Sequence, residues 1–180
     1  MIKTIKHKIF FLIFISALLV LSFSSWAIQG NEVTEETENE TLNWLPYDQA
    51  LTKSAVESIP ILIYFYSDNC AWCRKLENET FTNKNIREIM NKYFSIVRIN
   101  SKSNEFIIQN GEKITEKQLS EEVYQVRGNP TIWFLGPENE RIASLPGFIE
   151  ADVFIDVLQY IKDEHYKEYT FPEYREMLEN

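Results

Sequence analysis

The sequence predicts an α/β domain in which helices flank a central mixed β-sheet and an antiparallel hairpin and a helix end the fold. Three observations support this class. Residues 61–66 form an uninterrupted apolar run, which is typical of a strand covered on both faces. Helix-period patterns precede and follow that run. Two extended segments, 131–135 and 141–145, are separated by a short Gly- and Pro-containing stretch that suits a hairpin.

The first half of this domain is predicted to run helix, strand, helix, helix, strand. Pro46 can open a helix that ends near Ser58, with one apolar face formed by Ala50, Leu51 and Ala55. After the strand at 61–66, the residues Ser67, Asp68 and Asn69 can cap a helix that begins at about Cys70. The next helix follows Asn83 and carries Ile86, Ile89, Met90 and Tyr93 on one stripe, and 95–99 is a short β-branched strand.

The second half begins with a polar segment, 101–113, which ends at an Asn-Gly turn. Thr115 and Gln118 offer a capping box for a short helix that ends near Tyr124. The hairpin at 131–145 follows. A final helix has Asp152 in its first turn and an apolar stripe formed by Val153, Phe154, Val157, Leu158 and Ile161.

The first 27 residues follow the pattern of a secretory signal peptide. Three lysines form a basic start, an apolar run covers 9–21, and the small residues Ser25 and Ala27 suit cleavage before Ile28. The alternative is an uncleaved N-terminal membrane anchor, because this stretch is nearly as long as the roughly 20 residues that span a bilayer. We expect a periplasmic or otherwise exported protein.

The chain is acidic, with 18 basic and 27 acidic residues and a formal charge of −9. Removal of residues 1–27, which contain three lysines and no acidic residue, leaves 15 against 27, or −12. This charge argues against a nucleic-acid partner, whose phosphates require a positive field. Residues 28–41 hold five glutamates among polar residues and are predicted to be an acidic flexible linker. The domain is then expected at 42–165, followed by a tail, 166–180, that can form a short extra helix.

The two cysteines, Cys70 and Cys73, lie at the predicted junction between a buried strand and a helix. A helix N-terminus carries unpaired N–H groups and a partial positive charge, which stabilise a thiolate and lower the pKa of Cys70 below the usual value of about 8.5. Cys70 is therefore the candidate attacking thiol. Cys73, one turn further along, can close a disulfide or resolve a mixed disulfide.

Two other interpretations of the cysteine pair are weaker. A closed zinc site needs four ligands, and the only histidines are His7, inside the signal segment, and His165, near the far end. No metal and no other cofactor is therefore expected. A purely structural disulfide closing so short a loop would constrain the unfolded chain little.

A second motif precedes the predicted hairpin. Residues 124–131 read Tyr-Gln-Val-Arg-Gly-Asn-Pro-Thr. With the C-x-x-C pair about sixty residues earlier, this segment resembles the thioredoxin superfamily, whose members place a Gly-x-Pro-Thr segment before the last hairpin. The resemblance spans about 45–163. It implies a thioredoxin fold, a cis Asn129–Pro130 peptide with Pro130 against the active-site disulfide, and a backbone at Asn129 that pairs with an extended substrate peptide.

The chain also departs from cytoplasmic thioredoxins. Ala71-Trp72 replaces Gly-Pro between the cysteines, and Trp72 can either face the substrate or pack on the domain surface. Tyr64 occupies the place of a buried Asp, which leaves open what deprotonates Cys73; Glu57 and Glu79, acting through water, are candidates and neither is favoured. The pattern from Cys73 to Phe81 is similar to that of the periplasmic thioredoxin-related branch, the small exported reductases.

These observations predict an exported thiol-disulfide oxidoreductase that works through a mixed disulfide at Cys70 and Cys73. We expect a reductase of protein disulfides, because the domain has no room for the large helical insertion that the resemblance requires of a dedicated oxidase. Its partners would be a protein thiol or disulfide and a membrane electron donor, and we expect a monomer. The alternative is a non-catalytic peptide-binding or assembly module whose disulfide is passive.

Overall fold

The computed structural model describes residues 41–179. The predicted signal segment and nearly all of the predicted linker lie outside these residues. Within 41–179 no helix has both the length and the apolar character needed to cross a bilayer.

The elements alternate between helix and strand in the first half of the fold and end in a hairpin and helices. In chain order they are α1 (Tyr47–Glu57), β1 (Ile61–Tyr66), α2 (Ala71–Glu79), α3 (Lys84–Tyr93), β2 (Ser95–Asn100), β3 (Phe106–Gln109), β4 (Glu112–Thr115), α4 (Glu116–Gln118), β5 (Thr131–Leu135), β6 (Arg141–Pro146), α5 (Ala151–Lys162) and α6 (Phe171–Glu179). A π-helical turn, Leu119–Val123, continues α4, and a 3₁₀ turn, His165–Lys167, precedes α6.

The main sheet has the strand order β2-β1-β5-β6. Strands β1 and β2 are parallel, with Ile61 opposite Ser95, whereas β5 is antiparallel to both β1 and β6. The predicted mixed sheet and closing hairpin are confirmed. β1 lies between β2 and β5 in the sheet. The end of β1 at Tyr66 is therefore flanked by the loop that follows β2 and the loop that precedes β5.

Residues of β1 alternate between two apolar layers, because successive side chains of a strand point to opposite faces. Leu62 and Tyr64 join a layer that includes Leu76, Met90, Phe134 and Phe154, from α2, α3, β5 and α5. Ile61, Ile63 and Phe65 join the opposite layer, with Ala50 of α1, Val97 of β2 and Leu119. Both faces of β1 are therefore covered, as its unbroken apolar sequence predicts.

One prediction about α1 is wrong, and one hairpin was not predicted. Ala55 does not share the buried face of α1: it is exposed, whereas Ala50 is fully buried and Leu51 is half-buried. The polar segment 101–113 ends at the predicted Asn110-Gly111 turn, and around this turn β3 and β4 pair as a small antiparallel hairpin that the sequence did not predict. Its inner side chains, Ile107 and Ile114, pack against the layer that contains α1.

The last helix packs on the end of the domain through aromatic rings. Tyr174 of α6 is 4% exposed, and its ring centroid lies 5.3 Å from that of Tyr160 in α5 and 4.7 Å from that of His165. The hydroxyl of Tyr160 donates to the carbonyl of Tyr169 at 2.6 Å. Residues 166–179 thus bury part of the surface of α5.

Candidate active site

Cys70 is the residue that caps α2. Its backbone is extended, and its Sγ accepts a hydrogen bond from the N–H of Cys73 at 3.0 Å. The sequence-based assignment of the cap to Ser67, Asp68 or Asn69 is therefore wrong. Only the residue directly before the first helical residue can offer its side chain to the third N–H of the helix. The carbonyl of Ser67 instead accepts the N–H of Cys70 at 3.1 Å, which forms the turn between β1 and α2.

Cys70 and Cys73 form a disulfide, and the two sulfurs have different surroundings. Their Cα atoms are 5.2 Å apart. Cys73 is 2% exposed, on the face of α2 that packs against the sheet, whereas Cys70 is only half-buried. A partner from solution can therefore approach Cys70 but not Cys73.

A groove of about 350 Å³ opens beside Cys70. It brings together residues from four separate parts of the chain, among them Cys70, Trp72, Ser101, Lys102, Glu121 and Asn129. The amide of Asn129 donates to Ser101 Oγ at 2.6 Å and so ties the loop before β5 to the loop after β2. The Lys102 ammonium and the Glu121 carboxylate, 3.4 Å apart, pair across the same groove.

Pro130 is buried, and the Asn129–Pro130 peptide bond is cis. The carbonyl of Pro130 accepts the N–H of Gly147 at 2.7 Å, which fixes the start of β5 against the end of β6. Pro130 itself does not line the groove; Gly128 and Asn129 form its wall on this side.

Trp72 lines the groove and is 58% exposed. Its ring centroid lies 6.1 Å from that of Phe148, and the ammonium of Lys75 lies 3.9 Å from the centre of the Phe148 ring. One side of the Trp72 ring therefore packs on Phe148 on the domain surface, and the rest faces solvent next to Cys70.

A polar cluster that the sequence analysis did not identify lies one helical turn from Cys73. The Tyr64 hydroxyl donates to Glu77 Oε1 at 3.1 Å, and Arg98 Nη2 pairs with the same oxygen at 2.9 Å. Burial raises the pKa of Tyr64, and the neighbouring Glu77 carboxylate raises it further, so Tyr64 remains a protonated donor. The signal was present in the sequence, because Cys73 and Glu77 are four residues apart and share a helix face.

The two carboxylates considered from the sequence for deprotonating Cys73 lie elsewhere. Glu57 pairs with Lys53 at 4.0 Å and Glu79 with Lys75 at 3.4 Å, both on exposed helix faces. Glu77 is half-buried and is held by Tyr64 and Arg98. Within residues 41–179, no group of three or more His, Cys, Asp or Glu side chains is placed to hold a metal ion.

Comparisons with known proteins agree with this geometry. Residues 47–162 match the family described as thioredoxin-like domain. Among curated proteins, the thiol:disulfide interchange protein DsbD of Haemophilus influenzae is 23% identical over 145 residues, which cover 65% of this chain and 23% of DsbD. The chain thus spans about a quarter of the length of that relative.

Solved structures show the same fold at low identity. A thioredoxin-fold protein from Helicobacter pylori has a TM-score of 0.59 and 20% identity over 68% of this chain and 81% of its own. A thioredoxin from Thermus thermophilus has a TM-score of 0.55 and 21% identity over 67% of this chain and 86% of its own. The matched family covers well over half of the sequence and contains both cysteines, so the chain belongs to the thioredoxin-like domain family and carries the thiol-disulfide oxidoreductase fold.

Proposed function

We propose that this protein is an exported thiol-disulfide oxidoreductase that reduces disulfides in other proteins. One observation carries the proposal: the half-buried Cys70 sulfur lies at a helix N-terminus beside an open groove and is bonded to a buried Cys73. In this arrangement a partner can react with the Cys70 sulfur, while the Cys73 sulfur is shielded and can react with the mixed disulfide afterwards.

The first step uses the reduced protein. The thiolate of Cys70, stabilised by the Cys73 N–H and the positive end of α2, attacks one sulfur of the substrate disulfide. A new S–S bond forms between Cys70 and the substrate, and the substrate's own S–S bond breaks. The displaced substrate sulfur leaves as a thiolate and takes a proton from solvent.

The second step uses Cys73. Its thiol loses a proton, the resulting thiolate attacks Cys70 Sγ, and the mixed disulfide breaks. The second substrate thiolate is released, and the protein is left with the Cys70–Cys73 disulfide, so two electrons have passed to the substrate. We assign the acceptance of the Cys73 proton to the Glu77 carboxylate, directly or through water, because Glu77 lies one turn along the same helix face.

The groove supplies the binding surface. The backbone of Asn129, next to Pro130, would pair with an extended segment of the substrate that holds the reacting cysteine. Trp72 and Phe148 would cover an apolar side chain on the other side of that cysteine, since exposed aromatic rings gain most when a partner removes them from water.

The proposal includes a location and a direction. Export would be directed by residues 1–27, followed by the linker at 28–41, with the domain at 42–165 acting as a monomer. An exported reductase works in a compartment that is kept oxidising, so it needs a membrane electron donor to regenerate its thiols. Alkylation of thiols in intact cells tests the direction: a reductase is found mainly with Cys70 and Cys73 reduced, and an oxidase mainly as the disulfide.

Acceleration of insulin reduction by dithiothreitol tests the enzyme proposal against a passive peptide-binding or assembly module, which would use the same groove. We expect the protein to accelerate the reaction and Cys70→Ser to abolish the acceleration. Cys73→Ser should instead accumulate a mixed disulfide that identifies the substrate. An original protein that is no faster than Cys70→Ser would contradict the enzyme proposal and favour the binding module.

A further inference from the structure

A second cavity of about 350 Å³ lies apart from the groove, where the described chain enters the domain. Its walls include Leu42, Trp44, Glu77, Phe81, Arg87 and Arg98. The proposed redox cycle uses Glu77 as a proton acceptor for Cys73 and makes no other use of this cavity.

The two arginines of this cavity differ in their partners. Arg98 is satisfied, because it pairs with Glu77 at 2.9 Å and its guanidinium lies 4.0 Å from the centre of the Tyr66 ring. Among residues 41–179, no carboxylate lies within 4.0 Å of the guanidinium nitrogens of Arg87. The Nε of Arg87 is also buried without a hydrogen-bond partner. A buried N–H donor of a charged group that lacks a hydrogen-bond partner destabilises the folded state. A bound ligand that supplies an acceptor would remove this destabilisation.

The cavity is already formed around Arg87. The ring centroids of Trp44 and Phe81 lie 6.0 Å apart and make an aromatic wall. One turn beyond Arg87 on α3, the amide of Asn91 donates to the carbonyl of Thr41 at 2.8 Å and accepts the N–H of Asn43 at 2.9 Å. The rim is thus fixed by hydrogen bonds rather than assembled on binding.

We propose that this cavity binds a carboxylate, which pairs with the Arg87 guanidinium while its carbon skeleton lies against Trp44 and Phe81. The planar guanidinium matches a carboxylate in a two-point pair. A single negative charge suits the site better than a phosphate, because the Glu77 carboxylate also lines the cavity. The carboxylate has two available sources: a free organic acid, or the side chain of Glu38 or Glu40, which lie just before Thr41 in the sequence.

Titration of the purified exported protein with benzoate, followed through the Arg87 Nε–Hε signal in ¹H–¹⁵N NMR spectra, tests the site. We expect a saturable shift of that signal together with the indole signal of Trp44. Arg87→Lys keeps the charge but loses the planar fork, so it should weaken binding by roughly tenfold or more, read from the Trp44 signal. Lys84→Gln removes a cation from the exposed face of the same helix and should leave binding unchanged.

The two sources give different results. A free acid as the ligand predicts benzoate binding to the unaltered protein. A glutamate of the chain predicts weak or absent binding until Glu38 and Glu40 are replaced together by Gln, after which benzoate binds. The proposal is overturned if neither protein gives a saturable shift, or if binding is as strong in folded Arg87→Lys or Arg87→Gln. Because insulin reduction is not the readout, failure here is distinct from failure of the proposed redox function.

Discussion

Tyr64 donates its hydroxyl hydrogen to Glu77 at 3.1 Å, so β1 holds a carboxylate supplied by α2, the helix that Cys70 caps. Arg98 pairs with the same oxygen from β2. The carboxylate thus lies on α2, and β1 and β2 provide the donors that position it. The proposed mechanism depends on this pairing.

We expect Glu77→Gln to slow release of the mixed disulfide by roughly 10- to 100-fold, since loss of a proton acceptor typically costs this much or more. Attack by Cys70 should be nearly unchanged, because its thiolate is stabilised by the helix N-terminus. Single-turnover measurements separate the two steps. The deficit should shrink as the pH rises, because hydroxide can then take the Cys73 proton in place of Glu77.

Glu79→Gln is the matched control for that experiment, because Glu79 lies on the exposed face of the same helix and pairs with Lys75. Its rates should equal those of the unaltered protein. Equal slowing in both variants, or a deficit in Glu77→Gln that does not change with pH, would contradict a proton-accepting role for Glu77.

Trp72→Ala is expected to raise the KM for a protein disulfide by about 3- to 10-fold, corresponding to roughly 1 kcal/mol of lost aromatic contact, with kcat nearly unchanged. Thermal stability should hardly move, because the side chain is 58% exposed. Phe106→Ala removes another exposed aromatic ring, 62% exposed on the β3–β4 hairpin, and serves as the control. A KM that does not change in Trp72→Ala would assign this ring to packing alone.

Stability should fall as the pH rises above 10. Burial raises the pKa of Tyr47, Tyr64 and Tyr124 above the ordinary value of 10. Above that pH the unfolded chain releases these protons while the folded chain keeps them, so the unfolded state is favoured; below it both states are protonated and the effect vanishes. Urea unfolding between pH 8 and 12 measures this slope.

Tyr64→Phe should reduce the alkaline slope by about one proton, or roughly 1.4 kcal/mol per pH unit. Phe106→Ala, which removes an exposed ring without a titratable group, is the control and should leave the slope unchanged. Identical slopes in the unaltered protein and in Tyr64→Phe would show that Tyr64 ionises in the folded state as it does in the unfolded chain.

Asn83→Ala should destabilise the domain by about 1 kcal/mol, because Asn83 Oδ1 caps α3 by accepting the N–H groups of Asn85 at 3.0 Å and Ile86 at 3.3 Å. Denaturant unfolding measures the loss. Asn85→Ala changes an exposed asparagine two residues further along the same helix and should be neutral or slightly stabilising. A loss of the same size in both variants would show that the cap is not the cause.

Export is tested by the mass of the protein recovered from a bacterium with a periplasm. Cleavage after Ala27 predicts an N-terminus at Ile28 and recovery in the periplasmic fraction. Recovery of the intact chain with the membranes would instead assign residues 1–27 to an anchor.

The sequence predicted the elements that depend on local patterns. The apolar run of β1, the capping box at Thr115 and the spacing of β5 and β6 each specify their element without help from distant residues, and each is confirmed. The β3–β4 hairpin was missed because only alternate residues of Phe106–Gln109 are inward, and the surrounding polar residues concealed that period.

The site was only partly predictable for a different reason. Cys70 and Cys73 are three residues apart at the start of one helix, so local sequence identified the pair. Glu77 was overlooked because the position of its carboxylate is set by Tyr64 and Arg98, which come from two neighbouring strands. The cap at Cys70 was misassigned because Ser, Asp and Asn are commoner caps than Cys, and sequence statistics do not anticipate a sulfur acceptor.

The hydrogen bond from the Cys73 amide to Cys70 Sγ is already made in the disulfide form. When the disulfide opens, the Cys73 N–H that stabilises the new negative charge on Cys70 Sγ is therefore already in place. The backbone at Cys73 need not rotate to reach it. We expect the oxidised and reduced domains to have nearly the same shape and a low reorganisation energy between them. A partner would then distinguish the two states by the negative charge on the Cys70 sulfur. The domain would transfer two electrons without a change in its backbone conformation.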